Sequence, residues 1–288
     1  MKQMQTKQLQ PPQHQEKQPG LESLMNPKPV FDNSLYKGSG KLQGKCALIT
    51  GGDSGIGKAV AIAFAKEGAN ISIAYFDEHE DAKMTKQLVE SYGVKCVLVA
   101  GDLSEEEHCI ETVKSTAEKL GNLHVIVNNL AVQYPQNSLL DITASQLERT
   151  FRINLFSYFY ITKAALPYLK KGDCIINTAS ITAYEGNESL LDYASSKGAI
   201  VSFTRSLSKS LVKVGIRVNG IAPGPIWTPL IPSSFDAEKV SEFGGDVPMG
   251  RPGQPWEVAG AYVYLASQDA TYVTGQMLHV NGGVVVNG

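Results

Sequence analysis

The chain has 288 residues, of which 43% are apolar and 19% charged, with a formal net charge of −2. A chain of this length can bury roughly 75% of its unfolded surface, so it needs neither disulfides nor a metal to hold a core. The charge balance argues against a nucleic-acid binder and the apolar content against disorder, and no apolar run approaches the ~18 residues of a membrane helix.

Residues 1–40 read as an arm and residues 41–288 as one domain. Residues 1–20 hold seven glutamines, three prolines and almost nothing apolar, the composition of a flexible or extended segment. Residues 21–40 add Leu21, Leu24, Met25, Val30, Phe31, Leu35 and Tyr36. These either pin the segment onto a folded surface, its own or a neighbouring subunit's, or sit in an untethered tail. The polar N-terminus lacks the apolar stretch of a secretory signal. Cys46, Cys96, Cys109 and Cys174 are dispersed and form no CxxC. Reduced, buried thiols in a cytoplasmic protein are expected. The five histidines form no HExxH and lie beside no cysteine at ligand spacing, so no metal site is expected.

From Lys45 the pattern alternates. Apolar runs predict strands over 45–50, 70–75, 95–100, 123–128, 174–179 and 216–221. Helical periodicity fills the intervals at 56–67, 78–92, 104–120, 143–169 and 190–213, with Ser104 and Glu107 at capping-box spacing. Such alternation predicts an α/β Rossmann-type fold, a doubly wound parallel sheet covered on both faces.

The first strand runs into Thr50-Gly51-Gly52-Asp53-Ser54-Gly55-Ile56-Gly57. Glycines there let the backbone turn sharply, and the following helix offers its N-terminal N–H groups to an anion. The spacing is neither the common Gly-x-Gly-x-x-Gly fingerprint nor a P-loop. A bare packing turn is one reading; its place between the first strand and first helix favours a dinucleotide. Twenty residues after Gly57 stands Asp77, after Tyr75 and Phe76 at the end of the second strand. An acidic group there would bind the adenosine ribose. The alternative is a first-turn charge on the next helix. Neither strand-end position holds a lysine or arginine, and Asp53 would repel a 2′-phosphate, so NAD(H) is expected over NADP(H). Asp102-Leu103 follows the third strand, where the carboxylate could meet an adenine amino group or cap a helix.

Tyr193 and Lys197 stand four apart in a predicted helix and so share a face. An ammonium beside a phenol lowers its pKa from about 10 and tunes it for proton exchange with an alcohol–carbonyl pair. A solvated helix face gives the same spacing by chance. Ser180 lies just after a strand at the same sheet edge, and Asn154 stands as a polar amide in an apolar helix, where a structural hydrogen bond also explains it.

Taken in order, the Thr50–Gly57 turn, Asp102, Asn128–Ala131, Asn154, Ser180, Tyr193, Lys197 and Pro223-Gly224 resemble the short-chain dehydrogenase/reductase (SDR) family from about Leu42 to Val285. The arm and the Tyr75–Asp81 run further resemble its general stress and glucose/ribitol-dehydrogenase-like group. The resemblance implies a seven-stranded sheet, an oxidoreductase and a homotetramer. It implies that Tyr193 is the general acid/base, that Lys197 holds the nicotinamide ribose and lowers the Tyr193 pKa, that Ser180 orients the substrate oxygen, and that Asn154 positions a relay water. Gly51, Ser54, Gly55, Ile56 and Gly57 would surround the pyrophosphate and ribose. Asn129, Leu130 and Ala131 would line the adenosine ribose, and Pro223, Gly224, Ile226 and Thr228 the nicotinamide. Leu130-Ala131 departs from the family's usual Ala-Gly. The long stretch 225–251 reads as a lid or a rigid loop. Gln133, Tyr184, Glu185 and Trp227 are the expected substrate-pocket residues, suited to a polyol or small sugar. The alternative to a catalyst is a dinucleotide-binding sensor with little turnover.

Overall fold

Apolar residues crowd both faces of seven short parallel strands in the computed structural model, which describes residues 8–286. They are β1 (Cys46–Thr50), β2 (Asn70–Tyr75), β3 (Cys96–Ala100), β4 (Val125–Asn128), β5 (Cys174–Thr178), β6 (Arg217–Pro223) and β7 (Met277–Val280). Their order is β3-β2-β1-β4-β5-β6-β7. Winding therefore reverses between β1 and β4, and a crevice opens at the carboxyl ends of those two strands. The helices are α1 (Gly55–Lys66), α2 (His79–Glu90), α3 (Glu106–Leu120), α4 (Ala144–Phe151), α5 (Ser157–Ala165), α6 (Thr182–Glu185), α7 (Leu191–Leu211), α8 (Ala237–Glu242) and α9 (Pro255–Ala266).

Side-chain alternation sorts β1 between two layers. Ala47 and Ile49 pack with Phe64 of α1 and Tyr262 of α9, while Leu48 packs with Val113 of α3 and Ile161 of α5. The layers are stitched inside the sheet by polar side chains. Asn128 Nδ2 donates to Asn177 Oδ1 at 2.9 Å, and Asn177 Nδ2 donates to Thr204 Oγ1 of α7 at 2.9 Å. All four cysteines are free and buried. No helix among the described residues is long and apolar enough to cross a membrane.

Three local expectations need correction. Ser104 does not cap a helix: α3 opens at Glu106 behind Glu105, without a side-chain cap bond. Asp102 takes the Ser104 N–H at 2.9 Å and closes a tight turn, which leaves the Ser104 hydroxyl to accept from Arg149 at 2.9 Å. The helical run 143–169 is interrupted by a π turn over Arg152–Phe156, and Asn154 sits within it. The third concerns 225–251. It is neither a plain loop nor open: it carries α8, and its Trp227 is wholly buried with Met25, Ile231 and Val240.

Trp227 also donates its indole N–H to the Pro27 carbonyl at 2.9 Å, so the arm is seated on its own chain. Lys66 to Asp32 at 2.5 Å and Tyr36 to Glu67 tie down the rest of it. Pro255 in the first turn and a Gln254–Glu257 capping box open α9. Because Trp227 fills the junction between arm and loop, Trp227→Ala should lower the unfolding free energy by ~3–5 kcal/mol. Urea denaturation followed by circular dichroism measures it, and a loss below about 1 kcal/mol would contradict the packing role.

Candidate active site

The turn after β1 enters the crevice with Gly51 at φ +62° and Gly55 at φ +52°, both in the left-handed region that favours glycine. Gly57 serves differently. A Cβ there would meet the Gly51 carbonyl oxygen at 1.9 Å, so it permits close packing beneath the cavity rather than lining it. Asn129 pins the turn from β4: its amide donates to the Thr50 and Gly51 carbonyls at 3.1 and 3.2 Å, and its N–H to Thr50 Oγ1 at 2.9 Å. Ser54 makes no side-chain cap at the start of α1. First-turn N–H groups have no intrahelical partner. Here they open toward a cavity of about 1380 Å³ that Ser54, Gly55 and Ile56 line.

Every residue expected at a cofactor lines this one cavity except Gly57 and Asp77. Asp77 is a correction. Past Tyr75 the chain bends, and the Asp77 carboxylate turns out to Lys17 of the arm at 2.6 Å, an ion pair that holds it below the usual carboxylate range. Glu78, passed over in the sequence, lines the cavity instead. Burial, then the charge of Asp53, pushes Glu78 up to about 7. Its Oε1 is buried without a hydrogen-bond partner. Burial also pushes Asp53 up to about 6. Asp102 is the contrast: burial would raise it, but the Ser104 N–H and the Arg149 guanidinium at 3.0 Å hold it low.

On the other side of the crevice Ser180 stands two residues past the end of β5, and α7 brings Tyr193 and Lys197 one turn apart. Ser180 Oγ accepts from the Thr182 N–H at 3.1 Å and its hydroxyl at 3.0 Å, which fixes the serine. Burial pushes the Tyr193 phenol up to about 12 against a hydrogen bond from Ser180 that pulls it down. Lys197 Nζ donates to the Thr178 carbonyl at 2.9 Å and lies 5.5 Å from the centre of the Tyr193 ring. Burial pushes this ammonium down to about 7. The expected lowering of Tyr193 by Lys197 is therefore not the dominant effect: desolvation outweighs it on both groups.

Asn154 lies behind the cavity. Its Oδ1 accepts from the Val132 N–H at 2.8 Å, and its Nδ2 donates to the Val132 carbonyl at 2.9 Å and Ser196 Oγ at 3.1 Å. Its side chain is thus bonded to the cavity wall at Val132 and to α7 at Ser196. Gln133 and Glu185 line the cavity; Tyr184 and Trp227 do not. Tyr184 turns to His279, with ring centres 4.5 Å apart, in a separate cavity. The sequence also hid the arm's share. Leu9, Gln18, Pro19 and Gly20 line the cavity, and the Gln18 amide pairs with the Gln133 backbone at 2.7 and 3.2 Å.

A family model described as enoyl-(acyl carrier protein) reductase matches residues 51–285. General stress protein 39 of Bacillus subtilis is 60% identical over 273 residues, 95% of this chain and 96% of that protein. Glucose and ribitol dehydrogenase of Daucus carota is 51% identical over 96% of this chain and 98% of its own. A solved short-chain dehydrogenase from Burkholderia cenocepacia, in complex with NADP, superposes with a TM-score of 0.80 at 28% identity, over 84% of this chain and 98% of that one. The chain belongs to the short-chain dehydrogenase/reductase family. Within that family it falls in the general stress and glucose/ribitol-dehydrogenase-like group, and it is an oxidoreductase. In this SDR the Leu130 of the Leu130-Ala131 departure packs, half-buried, against the apolar clusters that hold Ile126 and Tyr158.

The buried Lys197 predicts a pH signature. Its folded pKa is depressed from 10.5 to about 7, so the folded state binds this proton more weakly than the unfolded one. The cost is present in full below about pH 7 and fades as the pH rises toward 10.5. Lys197→Met should thus raise the melting temperature at pH 6 and lose more than half of that advantage by pH 9, which differential scanning calorimetry at the two pH values measures.

Proposed function

We propose that this SDR transfers hydride between NAD(H) and a small polyol, sugar or aldehyde, with Tyr193 moving the proton. The observation that carries the reading is Ser180, Tyr193 and Lys197 meeting on one wall of the cavity, with Lys197 Nζ 5.5 Å from the centre of the Tyr193 ring. In reduction the Tyr193 hydroxyl gives its proton to the substrate oxygen; in oxidation it takes one back. Ser180 holds that oxygen in place. Lys197 holds the ribose side of the cofactor and carries the proton onward, and Asn154 keeps the Val132 wall in position. The bound nicotinamide supplies or accepts the hydride. Stretch 225–251 and the arm close the cavity and keep water away from the reacting atoms.

The donor set fits a dinucleotide. The start of α1, with no cap from Ser54 and only the Gly55 N–H turned to Glu22, opens into the cavity, and the orphaned Glu78 Oε1 awaits a hydroxyl donor such as an adenosine ribose. With Asp53 beside it, Glu78 disfavours a 2′-phosphate, and Lys17 is already paired with Asp77. The Burkholderia relative's NADP supports the second reading, NADP(H). Gln133 and Glu185 make the substrate end polar, in keeping with the carrot relative's name. Half-exposed Phe159, stacked on Phe203 at 4.0 Å between ring centres, offers an apolar patch on α5 and α7 for the homotetramer.

Isothermal titration should show NAD⁺ binding about 10- to 150-fold tighter than NADP⁺, the range a charged hydrogen bond supplies. Glu78→Ala should erase that preference; tighter NADP⁺ binding by the parent would overturn it. Tyr193→Phe should lower turnover by ~10²–10⁴-fold with cofactor binding kept. Full turnover in that variant would reject the acid/base role, and loss of no biological activity would favour a sensor. Reaction with apolar ketones but not with glucose, ribitol or short aldehydes would reject the substrate class.

A further inference from the structure

Glu22 of the arm is a charged side chain only 6% exposed, and it is buried against the cofactor turn rather than against a surface. Its Oε1 lies 2.6 Å from Nζ of Lys58, itself 1% exposed in the first turn of α1. Its Oε2 accepts from the Gly55 N–H, the first residue of α1, at 3.4 Å. Its own N–H donates to Asp81 Oδ2 of α2 at 2.9 Å. Phe31, also from the arm, covers the other side of the ammonium, with Lys58 Nζ 3.9 Å from the ring centre. Lys58 is therefore walled in by two residues that precede the domain.

A buried ammonium needs a counter-charge, and breaking such a pair is strongly destabilising because the remaining charge stays unpaired. Lys58 has one close carboxylate partner among the described residues. Without it the ammonium must leave its site, and Lys58 stands next to Gly57, which is locked 1.9 Å (as a virtual Cβ) from the Gly51 carbonyl. Lys58 is thus joined to the turn through a single closely packed glycine. The negative charge of Glu22 is also felt inside the turn, where it adds to burial in raising Asp53. The other charges facing this spot are Asp81, in the first turn of α2, and Asp53 itself.

We propose that Glu22 is a positioning residue for dinucleotide binding: through Lys58 and Gly55 the arm sets the direction of the N–H groups at the start of α1. The arm is thereby a component of the cofactor site as well as a covering strap. The proposal rests on the dinucleotide reading given above.

The test uses the full chain. Glu22→Gln should weaken binding of NAD⁺ or NADP⁺, whichever the parent prefers, by tenfold or more in isothermal titration. Lys58→Met should do the same, and the double variant should bind no worse than the weaker single one. Asp32→Asn, which removes the charge from the arm's ion pair with Lys66 far from the turn, should leave affinity within twofold. Amide hydrogen exchange without dinucleotide should speed up over residues 54–58 in Glu22→Gln and not in Asp32→Asn. Binding by Glu22→Gln within twofold of the parent, or tighter, overturns the proposal. So does an equal loss in Asp32→Asn, which would make Glu22 one more arm fastening. A parent that binds neither dinucleotide would sink the cofactor reading instead, and the exchange measurement would still decide whether Glu22 orders the turn.

Discussion

Between β1 and β4 the chain reverses its winding, and the helices that follow these two strands leave for opposite faces of the sheet. Parallel strands joined by right-handed crossovers leave a gap at such a point. Nothing in the connectivity closes it. The gap is kept open and in shape by backbone-directed amides: Asn129 holds the glycine turn from the β4 side, and Asn154 holds Val132 from the π turn. Each acts on main-chain atoms, which cannot be shifted by a rotamer change. A cavity walled in this way keeps its geometry whatever fills it.

Two lysines are buried beside that cavity, and they are treated in opposite ways. Lys58 is given a carboxylate, Glu22, at 2.6 Å. Lys197 is given a carbonyl, from Thr178, and burial pushes it down to about 7. A full counter-charge fixes an ammonium as a structural cation. A dipole alone leaves it near the balance between its two protonation states, which suits a group that passes protons. The same contrast separates Asp102, held low by Arg149, from Glu78, raised by burial with one oxygen unmatched.

Much of this was legible along the chain. Strands that are apolar without a break could only be buried on both faces, and all six predicted runs lie in the sheet. Tyr193 and Lys197 were paired by helical spacing, a local property. What escaped depended on where a side chain points after the chain bends. Asp77 and Glu78 are adjacent, and spacing cannot say which of them faces the crevice. Tyr184 and Trp227 lie near site residues in sequence, yet one turns to His279 and the other is sealed under Pro27. The arm's contacts join residues dozens to hundreds of positions apart, and β7, short and only half-buried, gave no apolar run to read.

The four cysteines carry a last consequence. Burial pushes Cys96 and Cys109 up to about 12 and Cys174 up to about 11, and raises Cys46 as well. Peroxides and disulfides react with thiolates, not thiols. At neutral pH these sulfurs are both protonated and out of reach, and none of them lines the cavity. Burial and protonation together hold the four thiols back from the reactions that an exposed thiolate undergoes.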